Sequence, residues 1–141
     1  MRTSAAEPKA DFQELYRRMV FTILVSNKDD HLKNHGFLDV GSGRWRLSPM
    51  FDVNPAPDRD PHLETAIMEG GAHDRSIKLA LEACGFFEIT EADARKIIRE
   101  TARRVSDGWR EAFRPAGVSG ARLRDYEAAF DHGESKIAKA L

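Results

Sequence analysis

Cysteine is nearly absent. One residue, Cys84, stands in 141, so no intramolecular disulfide can form and a reducing, cytoplasmic setting is expected. Long hydrophobic runs are also missing. The most apolar stretch, Met19 to Val25, has seven residues, whereas a membrane span needs about 20. The first ten residues, MRTSAAEPKA, carry two positive charges but no apolar core of a secretion signal, and residues 1–10 read as a disordered lead-in. Neither sign of charge is in excess: 22 Lys and Arg face 23 Asp and Glu, for a net charge of −1. That balance argues against direct nucleic-acid binding and against a membrane-surface role, both of which call for a basic surplus. There is no internal repeat and no low-complexity tract. What remains is an ordinary globular composition, 41% hydrophobic and 32% charged, at the length of one domain. A chain of this size buries roughly two-thirds of its unfolded surface and needs no metal or disulfide to hold a core.

The pattern along the chain is mostly α, with one hairpin, an α+β arrangement. Asp11 with Glu14 predicts a helix start, and Phe12, Leu15, Met19, Phe21, Ile23 and Leu24 continue it to about Asn27. Gly36 to Val40, the turn Gly41-Ser42-Gly43, and Arg44 to Ser48 predict strand, turn, strand. Val53 to Pro61 is too rich in proline for a helix interior or a central strand, so it reads as a loop. Asp74 predicts a helix over Ile77 to Leu81, stopped near Gly85. Thr90 with Asp93 predicts a longer one through Ala94, Ile98, Val105, Trp109 and Phe113, ended by Pro115 and Gly117. Ser119 predicts a last helix over Leu123, Tyr126 and Phe130.

The densest polar cluster is Asn27-Lys28-Asp29-Asp30-His31-Leu32-Lys33-Asn34-His35, placed between an apolar helix and the hairpin. Asp29 and Asn34 keep the Asp-x-x-x-x-Asn interval of a protein-kinase catalytic loop. There the Asp accepts or orients the acceptor hydroxyl's proton and the Asn holds magnesium. In kinases a short hairpin leads to a second metal-binding Asp, and here the hairpin leads to Ser48-Pro49-Met50-Phe51-Asp52. Asn34 and Asp52 are the kind of oxygen pair that hard Mg²⁺ takes along with phosphates and water.

Both blocks resemble the HipA-like serine/threonine kinases, toxins of bacterial toxin–antitoxin pairs. That family carries Asn-x-Asp-x-His-x-Lys-Asn, then a hairpin ending in Leu-(Ser/Thr)-Pro-x-(Tyr/Phe)-Asp. The chain matches with Asn27 to Asn34 and with Leu47 to Asp52, without a gap, and Asn54-Pro55 and the helical tail are similar too. The resemblance covers nearly everything after residue 10 and implies that residues 11–141 form the family's C-terminal kinase lobe. It implies Asp29 as the catalytic aspartate, with His31 and Lys33 in the catalytic loop. It further implies Asn34 and Asp52 as metal ligands and Lys33 as a group steadying phosphate charge. The implied reaction uses Mg²⁺ and ATP as phosphoryl donor. The implied partners are a protein substrate such as an aminoacyl-tRNA synthetase, an antitoxin protein, and a separate N-terminal nucleotide lobe. No strand lysine and no glycine-rich loop precede Asp29, so the chain by itself is expected to be inactive.

Other readings weigh less. An isolated Asp-Asp pair usually caps a helix or forms Asx-turns. His31 and His35 are four apart, which suggests Zn²⁺, yet no glutamate follows His31 and no third ligand is evident. Asp52 to Leu63 mimics an EF-hand loop but has Pro57 at its sixth position and Leu63 at its twelfth. The basic residues from Arg95 to Arg110 read as a solvated helix face, Trp45 and Trp109 as core, and Cys84 as a buried apolar group. The rival to catalysis is a non-catalytic lobe that serves as an interaction module for an antitoxin or a second polypeptide.

Overall fold

Helix α1 spans Pro8–Leu24 in a computed structural model that describes residues 4–30, 32–57, 66–67 and 74–141. It begins three residues earlier than the sequence signal at Asp11, because Pro8 starts the first turn, where a proline's missing N–H costs nothing. Asp11 is not a cap. Its carboxylate is buried and accepts a hydrogen bond from Arg46 Nε at 2.9 Å. Residues 4–6, read above as part of a disordered lead-in, run beside Trp45: Trp45 N–H donates to Ser4 O and Ala6 N–H to Trp45 O.

Strands β1 (Phe37–Asp39) and β2 (Trp45–Leu47) pair antiparallel, with Phe37 opposite Leu47 and Asp39 opposite Trp45. The turn between them holds positive φ at Gly41, Ser42 and Gly43, and Asp39 Oδ1 accepts from Gly41 N–H at 2.8 Å. Arg46 reaches from β2 to both Glu7 and Asp11, so the hairpin lies against the start of α1. Trp45 is not core. It lies on the opposite face from Arg46, beside Ser4, Ala5 and Phe37, and stays 41% exposed.

From Ile77 on, the described chain is mostly helical: α2 Ile77–Glu82, α3 Glu91–Ala112, α4 Ala121–Asp125, α5 Glu127–Phe130 and α6 Gly133–Ala140. Helix α2 is capped by Ser76 rather than Asp74, through Leu79 N–H to Ser76 Oγ. Helix α3 starts as its sequence signal predicts, with Thr90 Oγ1 accepting from Asp93 N–H. The single last helix expected from Ser119 over Leu123 to Phe130 is instead two short ones, α4 and α5, broken at Tyr126, and α6 follows them where no helix was expected. His132 caps α6 through its ring Nδ1, which accepts from Ser135 N–H; histidine is an uncommon cap residue, and the sequence signal was correspondingly faint.

Two apolar clusters share α1 and α3. Tyr16, Val20, Ile23 and Leu24 pack against Ile77, Ala80, Ala94, Ile98 and Ala138. Val25 packs with Trp109, Ala129 and Phe130. Each fully buried Val, Ile or Leu side chain among them contributes about 1.5–3 kcal/mol. Tyr16 donates its hydroxyl to Ala80 O at 3.0 Å, and burial raises its pKa far enough that it remains a donor at every physiological pH. Trp109 stacks on Phe130 with ring centroids 4.4 Å apart, which anchors α5 to α3. Cys84 is buried and free, as the sequence suggested. Arg95 and Arg110 pair with Glu91 and Glu127.

Candidate functional site

The site begins where α1 stops. Asn27 N–H donates back to Thr22 O at 3.0 Å and Ser26 N–H to Ile23 O at 3.3 Å, the two reversed bonds of a Schellman ending. The left-handed residue of that motif is Ser26, with φ of 56°, at a position where glycine is usual. The chain then turns out of the helix with Asn27 buried at 1% exposure.

Asn27 faces the second motif block. Its Oδ1 accepts from Asn54 N–H at 3.2 Å, it forms a bridge with Pro55, and Ala56 N–H donates to Ser26 O at 3.1 Å. The loop carrying Asp52 is thereby laid across the first residues of the loop carrying Asp29. Two further contacts hold its approach. Arg18, buried on α1, donates to Ser48 O, and Ser48 N–H donates to Gly36 O at the base of the hairpin.

Within the first block, Asn34 Nδ2 donates to Asp29 O at 2.9 Å, closing the loop through a 3₁₀ turn at Leu32–Asn34. Asp29 is exposed at the loop's mouth. Asp30 turns inward, with Oδ1 3.2 Å from His35 Nε2 and both side chains largely covered. Lys33 is exposed and forms no ion pair among the described residues. His31 lies outside the described residues, as do residues 58–63 of the rejected EF-hand reading.

Within the second block, Asp52 sits at φ of 56° and is exposed. A non-glycine residue held there costs on the order of 1 kcal/mol, and such outliers cluster at functional sites. Asn54 Nδ2 donates to Asp52 Oδ1 at 2.9 Å, which fixes the carboxylate and engages one of its two oxygens. Phe51 packs over Gly36, where an added Cβ would lie 3.4 Å from its ring and 2.8 Å from Ser48 Oγ.

Asn34 and Asp52 do not hydrogen-bond to each other; the structure joins their loops through Asn27. Their free donors are an amide oxygen and a carboxylate oxygen, hard ligands suited to Mg²⁺. Among the described residues no group of three His, Cys, Asp or Glu side chains gathers as a metal cluster. A cation here would draw the rest of its shell from phosphate and water.

Ser26, Asn27 and Asn54 carry the assembly, and sequence spacing gave none of them a role. Their signal was position: Asn27 opens the first motif block, Ser26 directly precedes it, and Asn54 follows the second. A groove of about 930 Å³ between α1, the 50–55 loop and α3 lies elsewhere: Phe21, Val25, Met50, Val53 and Trp109 line it, and Asp29, Lys33, Asn34 and Asp52 do not. No curated protein and no solved structure matches the chain. The family described as HipA-like C-terminal domain matches residues 1–109. That span holds both motif blocks and the contacts that join them, and the chain belongs to the HipA-like C-terminal domain family.

Proposed function

We propose that the chain is the C-terminal catalytic lobe of a HipA-like serine/threonine kinase, cytoplasmic, transferring the γ-phosphoryl group of ATP to a protein hydroxyl. The observation that carries this reading is the Asn27–Asn54 contact, which brings the loop of Asp29 and Asn34 against the loop of Asp52. Asp29, exposed and with its carbonyl fixed by Asn34, orients the acceptor hydroxyl and receives its proton. Asp29 is exposed whereas the Asp30 side chain is largely covered beside His35, which favours Asp29 over its neighbour for that role. Asn34 and Asp52 would hold Mg²⁺, whose chemistry is to neutralise charge on the transferring phosphate. Lys33 is exposed and unpaired among the described residues, free to meet phosphate charge; His31 is assigned to the loop by its motif position alone.

Phosphoryl transfer also requires a roof over the nucleotide, and the partner proposed for that is an N-terminal kinase lobe. The family further suggests an antitoxin partner and an aminoacyl-tRNA synthetase as substrate. A second reading, a non-catalytic interaction module, is favoured by the 930 Å³ groove, whose walls are largely apolar. The test joins this lobe to a family nucleotide lobe and follows phosphoryl transfer from Mg-ATP. Asp29→Asn should fold normally and lose at least about 100-fold in rate. Equal activity in the variant would refute the assignment of Asp29, and no transfer by the unaltered pair would favour the module.

A further inference from the structure

Ser26 makes more contacts than ending a helix requires. Its Oγ donates to Ala129 O at 2.7 Å, a buried contact across 103 positions of sequence, and its own carbonyl accepts from Ala56 N–H. Two residues earlier, Leu24 O lies 3.1 Å from His132 Nε2. Since His132 Nδ1 accepts from Ser135 N–H, the proton of the neutral ring sits on Nε2, which donates to Leu24 O. The last turn of α1 is thus gripped twice by residues 129–132. That segment is itself held firmly, through Phe130 stacked on Trp109 and edge-on to Phe113.

We propose that Ser26 and His132 are positioning residues for the site: through Ser26 bonded to Ala129 and His132 bonded to Leu24, residues 129–132, beyond the 1–109 span that matches the family, hold the end of α1 so that the Asn27–Asn34 loop and the Asp52–Ala56 loop leave it at a fixed place. The choice of residue at position 26 supports this. Glycine would relieve the left-handed backbone, yet serine stands there, and what serine adds is the hydroxyl bonded to Ala129. The inference rests on the kinase reading only for what the loops do; the brace is a property of the fold.

Amide hydrogen exchange on the full chain tests it without metal or nucleotide. The reporters are Asn27, whose N–H closes the end of α1 on Thr22 O, Asn54 and Ala56, whose N–H groups bond between the loops, and Ile98 and Ala102 in the core of α3. Ser26→Gly removes the hydroxyl while relaxing the backbone, so that the variant folds. His132→Asn keeps a cap for α6 but is too short to reach Leu24 O, and His132→Gln restores a donor near Nε2. Ser26→Gly and His132→Asn should speed exchange at Asn27, Asn54 and Ala56 by about 10-fold or more and leave Ile98 and Ala102 within about 3-fold, and His132→Gln should restore protection. Equal acceleration at all five amides would mean a purely structural role, and unchanged exchange at the three site amides would mean no brace; either overturns the proposal. Failure of Mg²⁺ binding would count against the kinase reading and leave this result standing.

Discussion

Asn27 and Asn54 meet side chain to backbone at 3.2 Å, and this one hydrogen bond spans the hairpin that separates the two motif blocks. Asn27 is buried, so its amide has few alternatives to the partner it has. Asn27→Ala leaves Asn54 N–H without its acceptor and opens a small cavity. The expected cost is about 1–3 kcal/mol, read as a lower urea midpoint at unchanged slope. A variant as stable as the parent would mean that the two loops stay together without this contact.

Gly36 allows the hairpin base to close. A methyl group there would lie 2.8 Å from Ser48 Oγ, so that side chain must move, and would touch the Phe51 ring at 3.4 Å. Gly36→Ala should cost about 1–3 kcal/mol and shift the amide resonances of Ser48 to Asp52. Because Asp52 follows Phe51 directly, the same change should weaken any cation held by Asp52. Unchanged stability and spectra would show that the contact yields at no cost.

His132 makes stability depend on pH near neutrality. Burial and the nearby Arg75 charge lower its pKa, outweighing Asp131 and the backbone contacts, which raise it. The unfolded chain, with an ordinary histidine near pH 6.5, therefore takes up the proton first as pH falls. This contribution is fully present above about pH 6.5 and is lost as pH drops toward the lower folded value. Protonation also removes the acceptor for Ser135 N–H, a cap of about 1 kcal/mol. Urea midpoints at pH 7.5 and 5.5 should differ more for the parent than for His132→Asn; equal differences would assign the effect elsewhere.

Elements set by neighbours in sequence were legible. Thr90 and Asp93 mark the start of α3 because the capping bond spans three residues, and Gly41-Ser42-Gly43 marks the hairpin because the turn needs positive φ. Positions decided by distant packing were not. Trp45 looks like core in sequence, but on its face of β2 it sits beside Ser4, Ala5 and Phe37 and stays exposed. Helix α6 is not legible because His132 and Gly133 give a weak start signal, although the ring caps it well. Likewise, Asp29, Asn34 and Asp52 could be picked out by spacing, while the residues that bring their loops together could not. Those contacts cross 27 positions at Asn54 and 103 at Ala129. No local pattern records them.

The central claim is that Asn34 and Asp52 serve one divalent cation. Titrating the full chain with Mn²⁺ in place of Mg²⁺, with ATP present, and following amide broadening by NMR tests it most directly. The account predicts weak binding, with a dissociation constant on the order of 1 mM, since the described residues offer only two oxygen ligands and no cover for the nucleotide. Broadening should centre on residues 33–35 and 51–53 and disappear in both Asn34→Ala and Asp52→Ala. Broadening centred elsewhere, or persisting in both variants, would contradict the account.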